Sequence, residues 1–258
     1  MMVERLIRGE SVKRDIMRKW FTVLFSVMMV LGSAQSKKTS AAVKAQAAKP
    51  APAVINPDIP ALIPTKRNGL FGFANQQGKV IIKPEYSNVG FFTEDCNLLN
   101  SPNVKARKFG SASYASVRRQ GVDFRIDRTG KRVYQYKDAD LAQCPFVFMK
   151  QRFHAYVRSG FYGIIEQPYF KSEDDYRSYV IYPQYQYLHI LEGDDLDRPM
   201  IVASQNDRFG IIDINNNVVI PFEYSDIKRN YSWKLAKLFE VTKDGVNYFY
   251  IDAQNKGY

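Results

Sequence analysis

Two stretches of this chain share a pattern that decides its fold. Residues Gly69–Tyr86 read GLFGFANQQGKVIIKPEY, and residues Asp207–Tyr224 read DRFGIIDINNNVVIPFEY. At an offset of 138 positions, without a gap, seven residue types are identical: Phe71 and Phe209, Gly72 and Gly210, Val80 and Val218, Ile82 and Ile220, Glu85 and Glu223, Tyr86 and Tyr224, Ser87 and Ser225. An ungapped match of this length indicates an internal repeat.

Each copy has the composition of a β-hairpin. In the first copy an aromatic-rich segment, 70–74, and a β-branched segment, 80–82, flank residues of turn chemistry. The turn requires a positive φ, which Gly78 supplies because it has no Cβ and which Asn216 tolerates in the second copy. We therefore predict two strands joined by a tight turn in both copies.

The proline and the glycine of the pattern carry separate expectations. Pro84 and Pro221 have no N–H to donate, so each is expected to end its ladder of hydrogen bonds. Gly72 and Gly210 leave a gap on one face of the sheet, which a ring from a neighbouring strand can cover. These two glycines are therefore predicted to be packing residues.

Degraded copies fill the rest of the chain. The offset equals three units of 46 residues, and related segments occur at Ala115–Val133, at Gly160–Glu166 followed by Val180–Tyr185, and at Gly245–Gly257. In the third copy eight residues are inserted around Phe170–Tyr176. We predict an all-β domain of repeated small antiparallel sheets, each of about 40–50 residues, forming a β-propeller-like ring of five blades. An open β-solenoid-like array is the alternative.

Closure of the ring gives the segment before the first copy a role. The fifth copy, Gly245–Gly257, has no full second strand after its turn. Ala61–Ile63 is expected to complete that unit, because a ring that shares strands between its first and last units removes an exposed edge.

The repeat resembles the WG-repeat family. The shared features are an aromatic-Gly pair, a hydrophobic pair, Asp, a Gly-Lys turn, Val-Ile-Pro and Tyr. No copy has Trp in the signature position, which holds Phe71, Asp123, Tyr162, Phe209 and Tyr248, and the second and fifth copies lack the following glycine. The resemblance implies a β-repeat module of the kind common in exported bacterial proteins, and it carries over no catalytic residues.

The first 34 residues have the pattern of a secretory signal peptide. Arg18 and Lys19 precede the apolar run Trp20–Leu31, and small residues follow up to Ala34. The run is shorter than the about 20 residues of a membrane span, and an uncleaved anchor is the alternative. We predict cleavage after Ala34, translation from either Met1 or Met17, and a periplasmic, cell-surface or extracellular location.

A disordered tether and one globular domain follow the signal. Residues 35–54 contain Ala, Lys, Ser, Gln, Thr and Pro with no aromatic residue, which predicts disorder; residues 55–258 are predicted to form the β domain. Residues 1–50 hold ten of the 37 Lys and Arg and three of the 26 Asp and Glu, so the remainder carries a net charge of only +4. No nucleic-acid partner is therefore expected.

The titratable residues predict neither a catalytic centre nor a cofactor. The two histidines, His154 and His189, lie far apart in the sequence, and two cysteines cannot complete a four-ligand zinc site. The acidic runs Glu173–Asp175 and 194–197 lack the spacing of a calcium loop. We therefore expect no metal, no cofactor and no enzymatic activity; a glycan-cleaving enzyme that uses Glu173, Asp174 or Asp175 is the alternative.

The two cysteines are predicted to form a disulfide. Cys96 and Cys144 follow the turn glycines of consecutive copies, Gly78 and Gly130, by similar distances. They could therefore be neighbours in adjacent sheets, and an oxidising compartment would preserve the bond. Two separate buried thiols are the alternative.

The most aromatic segment coincides with the one enlarged turn. Residues Tyr176–Tyr187 contain five tyrosines, and repeat folds often place variable insertions on the binding face. We predict that Phe170–Tyr187, and above all Tyr176, Arg177 and Tyr179, contact a protein or glycan partner at the cell envelope. Packing within the sheet is the alternative for these tyrosines.

Overall fold

A computed structural model describes residues 55–145, 150–166, 175–193 and 195–258, apart from the side chain of Tyr176. The predicted signal peptide, 1–34, and tether, 35–54, lie outside the described residues. Within them the chain is mostly β and forms several small antiparallel sheets, which confirms the all-β class.

The strands are short and belong to five sheets. In chain order they are β1 Leu62–Arg67, β2 Leu70–Asn75 and β3 Val80–Tyr86 in the first sheet; β4 Asn88–Phe92, β5 Ala115–Arg119, β6 Val122–Ile126 and β7 Arg132–Gln135 in the second; β8 Phe153–Arg158, β9 Phe161–Glu166 and β10 Tyr179–Tyr185 in the third; β11 Tyr187–Ile190, β12 Ile201–Gln205, β13 Arg208–Ile212 and β14 Val218–Tyr224 in the fourth; β15 Asp226–Ile227, β16 Phe239–Thr242 and β17 Tyr248–Ile251 in the fifth.

In the part of the chain that the structure describes, three short α-helices interrupt the connections between strands. Two of them, α1 (Cys96–Leu99) and α2 (Val104–Arg107), lie between β4 and β5. The third, α3 (Ser232–Ala236), lies between β15 and β16. Single 3-10 turns occur at Lys108–Gly110, Asp138–Asp140 and Tyr176–Ser178.

The hairpin turns have the predicted conformation. Gly78 has φ of 76° and Asn216 has φ of 65°. In both turns the residue three positions earlier, Asn75 or Asp213, accepts hydrogen bonds on its side-chain oxygen from backbone N–H groups of the turn. An Asx side chain and a residue with positive φ together define this turn.

The expectation for the two prolines was wrong. β3 continues through Pro84 to Tyr86, and β14 continues through Pro221 to Tyr224. The pairing register shifts around the proline. In the first sheet Phe71 pairs with Tyr86, whereas Phe73 pairs with Ile82, so β3 has extra residues at this point. The proline is accommodated in a bulge of an edge strand, where its missing N–H breaks no regular ladder.

The sheets pack face to face, and the fourth sheet is covered on both sides. Ile201 and Ile212 face a cluster shared with the third sheet, whereas their neighbours Val202 and Ile211 face a cluster shared with the fifth sheet. Successive strand residues point to opposite faces. A run of consecutive buried residues in β12 therefore marks a sheet that lies between two others.

The first and fifth sheets also pack together, but in a different way from that expected. β1 pairs with β2 inside the first sheet, so Leu62 and Ile63 do not complete the fifth sheet. Instead Ile63 lies in a hydrophobic cluster with Leu238 and Tyr250. The contact between the two ends of the repeat array is thus made by side chains.

A disulfide joins Cys96 and Cys144, whose Cα atoms are 5.5 Å apart. Cys96 opens α1 in the connection between β4 and β5, and Cys144 follows β7. The first connection lies within the second sheet, whereas the second leads from that sheet to the third. The bonded pair is the one that the spacing of the two cysteines predicts.

Candidate functional site

The two ends of each sheet differ in their connections. At one end the first four sheets have two-residue turns in which both residues have positive φ: Asn68–Gly69, Gln120–Gly121, Ser159–Gly160 and Asn206–Asp207. Such turns match the twist of a hairpin. The connections at the opposite end differ in length, and they include 93–114, 167–178 and 191–200.

Neighbouring sheets place their tight turns side by side. Ser87 N donates to the carbonyl of Arg118 at 2.8 Å, Gln186 N to that of Ser204 at 3.0 Å, and Ser225 N to that of Thr242 at 2.8 Å. These bonds join the tight-turn ends of successive sheets. The variable connections consequently share the opposite end, where a repeat fold has room for a binding surface.

Three tyrosines form a cluster on the third sheet, hereafter the tyrosine cluster. The ring of Tyr179 lies 6.3 Å from that of Tyr156 and 5.7 Å from that of Tyr182, both measured between centroids. Tyr182 is 53% exposed. Tyr179 pairs with Ile165 in β9, whereas the core residue Ile181 pairs with Ile164, which faces the fourth sheet. The cluster therefore lies on the face turned away from the fourth sheet.

Two of the three predicted contact residues differ in their exposure. Tyr176 begins a 3-10 turn, but its side chain lies outside the described residues. Arg177 is exposed, and Tyr179 is half-buried within the tyrosine cluster. Phe170, Glu173 and Asp174 lie outside the described residues.

The acidic groups near this surface are engaged in local hydrogen bonds. Asp175 accepts from the backbone N–H of Arg177 at 3.1 Å. Asp195 accepts from two backbone N–H groups and from Nε of Arg198, and the hydrogen bond from Arg198 lowers the pKa of Asp195. These carboxylates cap turns, so they hold the connections in place.

One arginine links the third sheet to the connection 191–200. Arg152 contacts Glu166 in β9 and donates from Nη1 to Asp197 at 2.6 Å. The hydrogen bond that Arg152 donates to Asp197, and next the one that it donates to Glu166, raises the pKa of Arg152. The guanidinium thus ties the fourth sheet's variable connection to the sheet that carries the tyrosine cluster.

The histidines do not form a catalytic pair with an acid among the described residues. His154 pairs with Ile165, and His189 pairs with Val202. Burial, and then the charge of Arg229, lowers the pKa of His189. Its ring is therefore neutral at physiological pH.

The described residues contain no group of three or more His, Cys, Asp or Glu side chains that could hold a metal ion. Among the same residues, no helix has the length and apolar character of a membrane span.

The aromatic signature positions lie on the sheet surface beside cations. Lys66 Nζ lies 5.3 Å from the ring centroid of Phe71, and Arg229 lies 4.9 Å from that of Phe209. In the second sheet Asp123 replaces the aromatic residue and pairs with Arg118 at 2.7 Å. A ring face and a carboxylate both attract a cation. The second copy can therefore have Asp123 in place of the aromatic residue and keep a contact with a cation from the neighbouring strand.

The glycine that follows the signature residue is required by close backbone packing. A Cβ on Gly163 or on Gly210 would lie 2.6 Å from the carbonyl oxygen of Ile181 or Ile220. At Gly210 the ring of Phe222 also covers the gap, as predicted, at 3.1 Å from the Cβ position. At Gly72 and Gly163 the covering atoms are the backbone of the neighbouring strand and its proline.

These features define a protein of repeated small antiparallel β-sheets in which an aromatic-Gly pair packs closely against the neighbouring strand in the first, third and fourth sheets. A family model described as "WG containing repeat" matches residues 71–96 and 209–234. These two segments are therefore WG repeats, which confirms the resemblance predicted from the sequence. No curated protein and no solved structure matches it.

Two residues, one in the tyrosine cluster and one in the second sheet, were missed by reasoning from the sequence. Tyr156 belongs to the tyrosine cluster but lies 14 positions before Phe170, where the predicted segment begins. Arg125 is 2% exposed and occupies the position that Phe73 fills in the first sheet. A buried arginine at an apolar repeat position is visible only when the copies are aligned residue by residue.

Proposed function

We propose that this WG-repeat protein is an exported, non-catalytic binding or scaffolding module of the cell envelope. Its ligand is a protein or a glycan. The observation that carries the proposal is the tyrosine cluster on the face of the third sheet turned away from the fourth.

The chemistry of the cluster suits recognition. Tyrosine provides a large, rigid contact area with a polar edge and loses little side-chain entropy on binding. The exposed guanidinium of Arg177 stands next to the strand that carries Tyr179 and Tyr182. Tyrosine and arginine are the residues most often responsible for binding energy at interfaces.

Export is supported by two features. The order of basic, apolar and small residues at 18–34 is that of a secretory signal. The disulfide between Cys96 and Cys144 belongs to an oxidising compartment.

The absence of catalysis is inferred from the chemistry of the described residues. Asp175, Asp195 and Asp213 each accept hydrogen bonds from the backbone of their own turn. Such carboxylates are fixed as turn caps. General acid and base pairs in glycosidases instead face each other across a substrate, roughly 5–9.5 Å apart.

The test compares binding by the exported protein with binding by matched tyrosine variants. Glycan-array and pull-down signals of the wild type should fall at least tenfold in a Tyr179→Ala, Tyr182→Ala variant, because two anchors are lost. Tyr231→Ala is the control, since Tyr231 is 57% exposed and directly precedes α3, in the connection between β15 and β16. An equal loss of binding signal in the tyrosine-cluster variant and in Tyr231→Ala would contradict the assignment of the site.

A second measurement addresses the enzymatic alternative. The same glycans are incubated with the wild type and with a Glu173→Gln variant, and release of reducing ends is followed. Binding without turnover agrees with the proposal. Turnover that disappears in Glu173→Gln would show that the protein is a glycan-cleaving enzyme.

A further inference from the structure

Cations flank the tight turns of the sheets in a repeated position. In each of the first three sheets an arginine directly precedes the two-residue turn: Arg67, Arg119 and Arg158. In the fourth sheet Arg208 directly follows the turn, and in the fifth Lys243 directly follows β16. Every sheet thus carries a cation beside its tight turn.

The tight turns lie at the same end of the array. Backbone hydrogen bonds join the tight-turn ends of the first and second, the third and fourth, and the fourth and fifth sheets. The first and fifth sheets share this orientation, because Ile63, near the start of β1, packs with Leu238, directly before β16, and with Tyr250, near the end of β17. All three residues lie opposite the tight turns. The cations therefore gather on one surface, hereafter the turn face.

Exposed apolar side chains stand beside these cations. Arg67 pairs with Leu70 across the turn of the first sheet, and Arg158 pairs with Phe161 across that of the third. Leu70 is 41% exposed and Phe161 is 48% exposed, while Val246, in the turn of the fifth sheet, is 75% exposed. Exposed apolar groups that share one surface, bordered by polar residues, mark a site of contact with a partner or a membrane.

Neighbouring acids neutralise only part of the charge on the turn face. Salt bridges between adjacent sheets engage two of the cations: Arg119 with Glu85, and Lys243 with Glu223, both at 3.2 Å. Arg67 and Arg208 form no salt bridge with a described acid. Asp207, which precedes Arg208, accepts a hydrogen bond from Nε2 of Gln186 at 3.0 Å. The first and fourth turns consequently present guanidinium charge to an anionic partner.

The short connections suit contact with a planar partner. The turns of the first four sheets have two residues each. Single residues join the first sheet to the second, the third to the fourth and the fourth to the fifth: Ser87, Gln186 and Ser225. Turns of neighbouring sheets can therefore approach the same plane together.

We propose that the turn face binds the surface of an anionic phospholipid bilayer. Arginine and lysine are attracted to a negatively charged leaflet, and exposed apolar side chains enter the boundary between headgroups and acyl chains. A dissolved polyanion would use only the cations. The placement of Leu70 beside Arg67 and of Phe161 beside Arg158 favours a bilayer, which offers both environments.

The first test is co-sedimentation of the exported protein with vesicles of phosphatidylglycerol and phosphatidylcholine, compared with vesicles of phosphatidylcholine alone. The wild type should bind the anionic vesicles more tightly, and added salt should weaken this binding. In an Arg67→Gln, Arg208→Gln variant, binding should fall roughly fivefold for each charge removed.

A variant with the same loss of charge is the control. Lys79 and Lys131 are exposed and lie in the β2–β3 and β6–β7 turns, at the opposite end of the sheets. Lys79→Gln, Lys131→Gln should therefore keep most of the vesicle binding. All variants have the same residues before the β domain, so differences between them report on the turn face.

A second variant distinguishes a bilayer from a dissolved polyanion. Leu70→Thr, Phe161→Thr keeps residues that favour strands but removes the apolar tips. Its binding to anionic vesicles should fall about fivefold or more, whereas its binding to polyphosphate should equal that of the wild type. Val180→Thr is the control, since Val180 is 42% exposed but lies on β10. Thermal unfolding shows whether each variant is folded.

Hydrogen exchange gives the position of the contact. With anionic vesicles, the amides of 68–70 and 159–161 should exchange more slowly. Those of 76–79 and 129–131, in turns at the opposite end, should exchange as they do without vesicles.

Several outcomes would overturn the lipid-binding face. One is equal vesicle binding by the wild type and Arg67→Gln, Arg208→Gln, and another is an equal loss in Lys79→Gln, Lys131→Gln. Full vesicle binding by Leu70→Thr, Phe161→Thr would assign the cations to a dissolved polyanion instead.

The turn face is separate from the tyrosine cluster, and so the two proposals can fail independently. Tyr179 lies at the start of β10, opposite the tight turns. Tyr179→Ala, Tyr182→Ala should therefore leave vesicle binding unchanged, and Arg67→Gln, Arg208→Gln should leave the glycan-array and pull-down signals unchanged.

Discussion

Tyr224 donates a hydrogen bond through its phenol to Oδ1 of Asn255, 2.6 Å away, and so links the end of the fourth sheet to the turn of the fifth. The phenol is 2% exposed. Burial, and then the charge of Glu223, raises the pKa of Tyr224 to about 12. The group therefore remains a donor throughout the physiological range.

Removal of this bond should loosen the contact between the two sheets. Tyr224→Phe and Asn255→Gly should each lower the free energy of unfolding by about 1 kcal/mol. The double variant should cost less than the sum of the two, because both changes remove the same interaction. Urea unfolding of the four proteins measures the coupling, and strictly additive losses would contradict the direct role of the bond.

The glycine of the aromatic-Gly pair should not tolerate a methyl group. In Gly210→Ala the new Cβ would lie 2.6 Å from the carbonyl oxygen of Ile220, so the neighbouring strand must move. Overpacking of this kind costs about 1–3 kcal/mol. Gly90→Ala is the control, since its Cβ would be 3.7 Å from the nearest atom. Similar unfolding midpoints for the two variants would argue against the packing role.

The repeat pattern predicts the local structure well because each of its residues meets a requirement of the backbone nearby. A turn residue must adopt positive φ, and Gly78 and Asn216 do so. A strand glycine marks a close approach, and Gly210 lies against Ile220 and Phe222. These constraints act within about 15 residues of sequence, so a single copy is enough to reveal them.

Long-range relationships were harder to predict. Pro84 lies inside β3 because an edge strand can bulge around it, and edge position is a property of the whole sheet. Tyr156 joins Tyr179 through the pairing of β8 with β9, which spacing along the chain does not show. The strands adjacent to Cys96 and Cys144 likewise depend on which sheet β4 joins.

The disulfide should contribute substantially to stability. Cys96 and Cys144 are separated by 48 positions. A disulfide that closes a loop of that size restricts the unfolded chain and raises the free energy of unfolding by about 2–4 kcal/mol. A Cys96→Ser, Cys144→Ser variant should therefore unfold at lower urea concentration than the oxidised wild type. The reduced wild type should behave like the variant. Identical unfolding curves with and without reductant would contradict this prediction.

Stability should fall on mild acidification partly because of His189. Burial, and then Arg229, lowers the pKa of this ring in the folded state, whereas the unfolded ring titrates near pH 6.5. The unfolded chain therefore takes up the proton first, and the stabilisation present above that pH is lost as the pH falls through it. In urea unfolding between pH 7.5 and 5, His189→Gln should lose less stability than the wild type. A steeper loss in the variant would reverse the assigned sign.

Arg125 should be the most sensitive residue of the second sheet. Its guanidinium is buried and donates to four backbone carbonyls, in 93–114, and to the Ser116 hydroxyl, and Asp95 lies 3.6 Å from it. Burial lowers the pKa of Arg125, with a partial offset from Asp95.

Arg125→Met keeps much of the side-chain volume but leaves those carbonyls without a donor. The free energy of unfolding should fall by about 3–5 kcal/mol, the usual cost of removing one partner of a buried charged network. Arg118→Met is the control, because exposed ion pairs such as that of Arg118 with Asp123 contribute little to stability. Hydrogen exchange in 93–114 should also accelerate in Arg125→Met. A variant with wild-type exchange in that connection would show that the disulfide and the helices hold it without the arginine.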